Sequence, residues 1–224
     1  MNVTKTMNSP AKKHYQLPVF LTLEGQPCVI IGGGTVALRK ASDLLNAGAA
    51  VTVIAENPSP DIERLHRQGD ITVLRKHYEP KDVNGAFLDF AATDNGAVNV
   101  EVFDAAKQRG ILVNVVDCPE LCNFFSGAVV RRGPLQIAIS TSGSSPALAA
   151  AIRRELEERY TESYGEFVSF AGEIRKKIMG CDTFSGDAKQ EALLWLAKKE
   201  EFELFLESGK DTVWERLQKI IFSS

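Results

Sequence analysis

Apolar positions follow two rhythms along this chain. In the first half, short apolar runs recur: QPCVII (26–31), AVTVI (Ala50 to Ile54), ITVL (Ile71 to Leu74), AFLDFAA (Ala86 to Ala92) and ILVNVV (Ile111 to Val116). Runs this short, bounded by Gly, Pro and polar residues, predict buried strands. Between them the spacing turns helical. TVALRKASDLLNAG sets Ala37, Ala41, Leu44 and Leu45 on one face, and Gly48 fits the stop. Ser59-Pro60 reads as the cap and first turn of a helix through PDIERLHRQG, and a third helix runs from Val98 to Arg109 with Gly110 ending it. Strands alternating with helices predict right-handed crossovers and a mainly parallel, doubly wound α/β sheet.

The second rhythm begins near Ala128. AVVRR and LQIAIS flank Gly133-Pro134 and predict two strands joined by a turn. STSGSSP (Ser140 to Pro146) is a small polar loop. Helical spacing then continues to the end, through ALAAAIRRELEERY, ESYGEFVSFAGEIRKKIMG, GDAKQEALLWLAKKEEFELFL and DTVWERLQKIIF. Leu193, Leu194, Leu196 and Ala197 are expected to form a face that needs burial. The expected organisation is a flexible tail over 1–16, a nucleotide-binding domain over 17–127, a connector over 128–160 and a small helical domain over 161–224.

Composition narrows the class. A chain of 224 residues with 44% apolar and 25% charged positions suits a soluble globular protein. Its net charge of −3 gives no general basic footprint for nucleic acid. No apolar run approaches the length of a membrane span, and the polar start lacks a secretory core. The four cysteines form no CxxC pair, and the three histidines stand apart from them, so no metal site is expected. The expected location is the reducing cytoplasm.

The sharpest motif is CVIIGGGTVALRK. Gly32-Gly33-Gly34-Thr35-Val36-Ala37 fits GxGxxA, a form of the dinucleotide fingerprint. Gly32 allows the turn, Gly34 lets a pyrophosphate approach the backbone, and Ala37 lets helix pack on strand. The motif follows a strand, opens a helix and precedes a second strand, which is the context it requires. Glu56 stands just past that second strand. Its carboxylate would accept hydrogen bonds from ribose hydroxyls and repel a 2′-phosphate, which favours NAD; a solvated loop glutamate is the other reading. Asn57 is an equally local polar candidate.

Ligands of open parallel sheets sit beyond the carboxyl ends of the strands. AATDN places Thr93 and Asp94 there, and NVVDCPELC places Asn114 and Asp117. An aspartate at this edge could move a proton beside a nicotinamide ring, or could cap a turn opening at Pro119-Glu120. Arg131 and Arg132, with the hydroxyls of Ser140, Thr141, Ser142, Ser144 and Ser145, could hold carboxylates, or form a solvated strand end and an ordinary capping loop.

LPVFLTLEGQPCVIIGGGTVALRKASDLLNAGAAVTVIA, AATDN, NVVDCPELCNFF and VVRRGPLQIAISTSGSSPALA together resemble precorrin-2 dehydrogenase, the N-terminal module family of siroheme synthase. The resemblance runs from about Leu17 to Leu156. It implies a Rossmann-like domain, a dimerisation region and a homodimer. It implies NAD-dependent oxidation of precorrin-2, a carboxylate-rich tetrapyrrole, to sirohydrochlorin. The NVVD aspartate is the family's acid–base residue, so Asp117 inherits that role; Thr35, Val36, Glu56 and Asn57 match cofactor-contact positions. Some members also insert ferrous iron. Three positions depart from the family pattern: Gly127 where proline is expected, Pro134 where an acid or polar residue is expected, and Cys118 beside Asp117. Two other readings stay open at this point: a non-enzymatic NAD-sensing module and a chelatase without dehydrogenase activity.

Overall fold

The structure is a computed structural model that describes residues 16–181 and 185–222, with side chains up to Lys219. The expected tail over 1–16 lies, but for Gln16, outside the described residues. The chain divides between Ser126 and Gly127 into two compact units.

The first unit carries a parallel sheet in the order β3-β2-β1-β4-β5. Its strands are β1 (Pro27–Ile31), β2 (Ala50–Ile54), β3 (Thr72–Leu74), β4 (Leu88–Ala91) and β5 (Leu112–Val115). Its helices are α1 (Thr35–Asn46), α2 (Pro60–Gln68) and α3 (Gly96–Arg109), with short 3₁₀ turns at Pro80–Val83 and Pro119–Leu121. Because side chains alternate along a strand, each strand supplies both faces. Cys28, Ile30, Val51, Val53 and Phe90 meet Ala37, Ala41 and Leu44 of α1 on one face. Val29, Ile31, Val113 and Val115 meet Val102, Ala105 and Ala106 of α3 on the other. Local signals fix the helix ends. Ser59 caps α2, accepting from the Ile62 N–H at 3.5 Å, and Gly69 closes it in the left-handed region. α3 begins two residues before the sequence pattern suggests, because Asn95 Oδ1 accepts from the N–H groups of Ala97 and Val98.

The free edge of β5 is closed by side chains. Asn123 Oδ1 accepts from the Val113 N–H at 2.7 Å, and its amide donates to the Ile111 carbonyl at 2.9 Å. The Cys122 thiol donates to the carbonyl oxygens of Val115 and Cys118. The carboxamide thus substitutes for a neighbouring strand.

The second unit opens with an antiparallel pair, β6 (Ala128–Arg132) and β7 (Leu135–Ile139). Four helices follow: α4 (Pro146–Arg159), α5 (Glu162–Met179), α6 (Gly186–Leu196) and α7 (Lys199–Phe222), the last broken at Gly209 with φ 78°. Gly127, where proline was expected, is explained by packing: a Cβ there would lie 2.5 Å from the Ile139 carbonyl oxygen. The expected apolar face of α6 needs correcting. Ala192, Trp195 and Leu196 are buried, at the i, i+3, i+4 spacing of a single helix face, while Leu194 is 63% exposed and Ala197 lies outside the buried face. The helix expected to run from α6 into α7 also ends at Leu196. Among the described residues no helix is long and apolar enough to cross a membrane.

Two charged side chains lie in the first unit's core. Lys40 of α1 sits with its ammonium 4.8 Å from the Phe90 ring centroid, and burial lowers its pKa. On the other face, Asp89 of β4 is fully buried and neither carboxylate oxygen has a hydrogen-bond partner. Burial pushes it from 3.8 up to about 7, against a smaller opposing pull from Arg109. The buried Tyr78 hydroxyl is likewise without a partner. A carboxyl whose folded pKa is raised favours folding fully below its unfolded pKa, and that contribution is lost as pH rises through about 7. Asp89→Val is therefore expected to gain stability over the wild type by about 2 kcal/mol more at about pH 8 than at about pH 5. Urea unfolding at the two pH values checks this, and an unchanged difference between the proteins would refute it.

Candidate functional site

The glycine turn is built by close approach of backbones. Gly32 has φ 121°, and a Cβ there would lie 2.1 Å from the Ala92 carbonyl oxygen. A Cβ on Gly33 would lie 2.8 Å from Ala55 Cβ and 2.9 Å from Pro58 Cα. Hydrogen bonds from Gly32 N to Ile54 O, Ala92 N to Ile31 O and Ser59 N to Gly33 O hold the same three strand ends together. Gly34 differs: nothing lies within 4 Å of its added Cβ. It is the N-cap of α1, makes no side-chain cap, and no acid stands in the first turn. The first-turn N–H groups of Thr35 and Val36, which have no intrahelical partner, are left at the positive end of the helix dipole. This is an anion-binding arrangement.

Around this turn lies a cleft of about 680 Å³. It brings together Gly32, Gly33, Gly34, Thr35, Val36, Glu56, Asn57, Thr93 and Asp94 of the sequence candidates. The shape fits a dinucleotide: bare N–H groups at the floor, and an acid one strand away. Thr93 is tied to α3 by two hydrogen bonds with Asn99. Its Oγ1 donates to Asn99 Oδ1 at 2.8 Å, and Asn99 Nδ2 donates back to the Thr93 carbonyl at 3.0 Å. Asp94 is exposed.

The cleft also contains side chains that sequence reasoning missed: Ser59, Lys76, His77, Tyr78 and Asn95. Lys76 and His77 stand two and three residues past β3, and their position beyond a strand's carboxyl end was the available signal. His77 Nδ1 lies 2.7 Å from Glu56 Oε1. Lys76 Nζ bonds Asp82 at 2.8 Å and Glu79 at 2.9 Å, and those bonds raise its pKa.

Neither Asn114 nor Asp117, both expected beside the cofactor, lines the cleft. The amide of Asn114 is committed elsewhere: the residue shares its strand face with Phe90, and its amide donates to the Phe124 carbonyl at 3.0 Å. Phe124 in turn packs edge-on against Phe90, 5.4 Å between centroids. Asp117 lies beyond the end of β5, exposed, with φ 60°. The 3₁₀ turn at Pro119 takes Cys118, not Asp117, as its N-cap. Among the described residues the Asp117 carboxylate makes no hydrogen bond or ion pair. A non-glycine residue in the left-handed region is costly unless local structure holds it there.

Arg131, Arg132 and the Ser140–Ser145 loop belong to the second unit. Arg132 is committed to structure: Nε donates to the Tyr160 carbonyl at 2.8 Å, Nη2 to the Glu157 carbonyl at 3.2 Å, and Glu162 lies at 3.3 Å. It thereby binds the last carbonyls of α4. The turn beside it is tight, since a Cβ on Gly165 of α5 would lie 2.5 Å from the Arg132 carbonyl oxygen. In the loop, Ser145 caps α4 through the Leu148 N–H, Thr141 Oγ1 accepts from the Ser145 N–H, and Ser140 Oγ accepts from the N–H of Ser142, whose φ is 52°.

Comparison with known proteins bears on the same regions. Residues 19–128 match an NAD(P)-binding family, and residues 132–159 match the central region of sirohaem biosynthesis proteins. The chain is 45% identical over 162 residues to the siroheme synthase of Methylococcus capsulatus and 39% identical over 162 residues to that of Nitrosococcus oceani. These alignments take in 72% of this chain but 34% and 35% of the relatives, so the chain spans about a third of their length. Among solved structures, SirC, a precorrin-2 dehydrogenase, is 30% identical with a TM-score of 0.79, over 91% of this chain and 100% of that one.

The contrast between Gly32 and Gly34 is testable. Gly34→Ala is expected to keep the fold, because its Cβ meets open space, yet to weaken binding of a nicotinamide dinucleotide at least about tenfold by filling the floor of the cleft. Gly32→Ala is expected to lower the melting temperature as well. Calorimetric titration with NAD and thermal unfolding separate the two; equal NAD affinity in Gly34→Ala and wild type would remove Gly34 from the site.

Proposed function

Since this chain belongs to the family of precorrin-2 dehydrogenases and siroheme synthase N-terminal modules, we propose that it oxidises precorrin-2 to sirohydrochlorin with NAD. The observation that carries the chemical assignment is Asp117: an exposed carboxylate with no structural partner, held at φ 60° on the sheet edge where ligands bind. NAD, when bound, accepts the hydride. The chain's own residues do the rest.

The overall change removes two hydrogens from the macrocycle, one as hydride and one as a proton. Asp117 takes the proton and passes it to solvent. The N–H groups of Thr35 and Val36 would hold the NAD pyrophosphate. Glu56 accepts hydrogen bonds from the adenosine ribose hydroxyls, with Asn57 beside it; its negative charge favours NAD over NADP. Thr93, braced by Asn99, and Asp94 line the cleft at the end of β4 and would flank the bound cofactor.

Precorrin-2 carries acetate and propionate groups, so its recognition calls for donors. Arg131 and the hydroxyls and N–H groups of Ser140 to Ser145 are the proposed carboxylate partners. Arg132 acts one step back, by fixing the hairpin to α4 through the carbonyls of Glu157 and Tyr160.

The test is anaerobic incubation of the purified protein with precorrin-2 and NAD, following NADH. Asp117→Ala is expected to lose turnover by about a hundredfold or more while its NAD affinity stays within about twofold. Turnover that survives Asp117→Ala would move the acid–base role elsewhere. A wild-type protein that binds NAD and produces no NADH from precorrin-2 would favour the NAD-sensing module instead.

A further inference from the structure

At the corner of the cleft beyond β2 and β3, an acid and a histidine are paired. Glu56 Oε1 lies 2.7 Å from His77 Nδ1, and the two side chains are 51% and 84% exposed. Glu56 comes from the end of β2 and His77 from the loop after β3, two strand ends that the parallel register sets side by side. The other basic side chain lining this corner is Lys76. Its ammonium already answers two carboxylates, Asp82 and Glu79, and Glu79 also takes Lys81 at 3.0 Å. Lys76 therefore has little charge to spare for a ligand or for Glu56. Asp94, from the end of β4, adds a further acid to the lining. His77 is the group whose proton decides the balance. With His77 neutral, the charge of Glu56 stands uncompensated; with His77 protonated, the pair is neutral overall.

We propose that His77 is a specificity-determining residue, whose protonation relaxes the preference of this cleft for a dinucleotide without a 2′-phosphate. The inference rests on the assignment of the cleft to a nicotinamide dinucleotide made above. A ribose with two free hydroxyls donates to Glu56 in either state of His77. A 2′-phosphate brings between one and two negative charges to the same place. Glu56 repels it, and only a protonated His77 offsets that repulsion and offers a charge-assisted hydrogen bond. A histidine side chain changes charge within the physiological range. Discrimination against NADP therefore sharpens as pH rises and relaxes as it falls.

Calorimetric titration of the full chain with NAD and with NADP, at about pH 6 and about pH 8, tests this. The measured quantity is the ratio of NADP to NAD affinity. In the wild type it is expected to rise at least about fivefold from the higher to the lower pH, as befits a Coulomb interaction at a protein surface. The phosphate itself titrates near pH 6, so part of any trend is its own, and His77→Gln measures that part. His77 is exposed and outside the core, so the variant folds. It is expected to hold the low ratio of the high-pH wild type and to show a clearly shallower trend. Glu56→Gln is expected to raise the ratio at both pH values. The same trend in His77→Gln as in the wild type overturns the proposal. A wild type that binds neither dinucleotide overturns the cofactor assignment on which the proposal stands.

Discussion

At Gly32 the backbone of β1 runs so close to the end of β4 that even a methyl group would overlap the Ala92 carbonyl oxygen. One residue on, Gly33 is pressed against Ala55 and Pro58 beyond β2. These contacts lock three adjacent strand ends into one floor, and the hydrogen bonds from Gly32, Ala92 and Ser59 complete it. With that floor fixed, α1 can start in only one place. It starts on Gly34, a residue that cannot cap it, so the helix begins with N–H groups that want an anion. The location of the cleft and the presence of Glu56 and Thr93 in its lining follow from this packing of backbone on backbone.

The other end of the sheet is governed by how its edge is closed. Asn123 and Cys122 return to β5 and bond its backbone, so the chain between Val115 and Cys122 has both ends tied. Six intervening residues must then reverse direction in a small space. Cys118 N bonds Val115 O, Leu121 N bonds Cys118 O, and Asp117 takes the left-handed conformation between them. Aspartate tolerates that region better than most residues, but glycine or asparagine would serve a purely structural turn as well. Among the described residues the Asp117 carboxylate is left without a hydrogen-bond or ion-pair partner there.

Much of this could be read from the chain. Apolar runs and helical spacing located the five parallel strands and the three helices of the first unit, since burial on both sheet faces leaves near-continuous apolar strands. The fingerprint located the cleft, because Gly32 and Gly33 answer steric demands that a larger residue does not meet. What could not be read was the direction of polar side chains. Asn114 and Asp117 stand three residues apart, yet Asn114 lies in β5 and gives its amide to Phe124, while Asp117 falls past the strand, in a turn at φ 60° that leaves it exposed. Arg131 and Arg132 look alike in sequence, and only the fold shows that Arg132 is bound to the carbonyls of α4. Lys76 and His77 carry no motif and are marked only by their place beyond a strand's carboxyl end; parallel pairing of β3 with β2 is what brings His77 to Glu56. In α6, a run of leucines hid which face was buried.

The charged and polar groups of these elements fall into three sets. Asp89 and Lys40 lie in the core, on opposite faces of the sheet, where they cannot neutralise each other and where desolvation dominates both. They bear on stability and line no part of the cleft. Glu56, His77, Asp94 and Asp117 sit at the sheet's carboxyl edge, largely in solvent, where charge costs the fold little and can be exchanged for ligand contacts. Asn114, Asn123 and Arg132 form a third set, polar in type but spent on backbone groups that would otherwise lack partners. Residue type alone therefore says little about role here. What separates a chemical group from a structural one is whether the backbone has already claimed its hydrogen bonds, and by that measure the carboxylate at Asp117 is unclaimed where the amide at Asn114 is not.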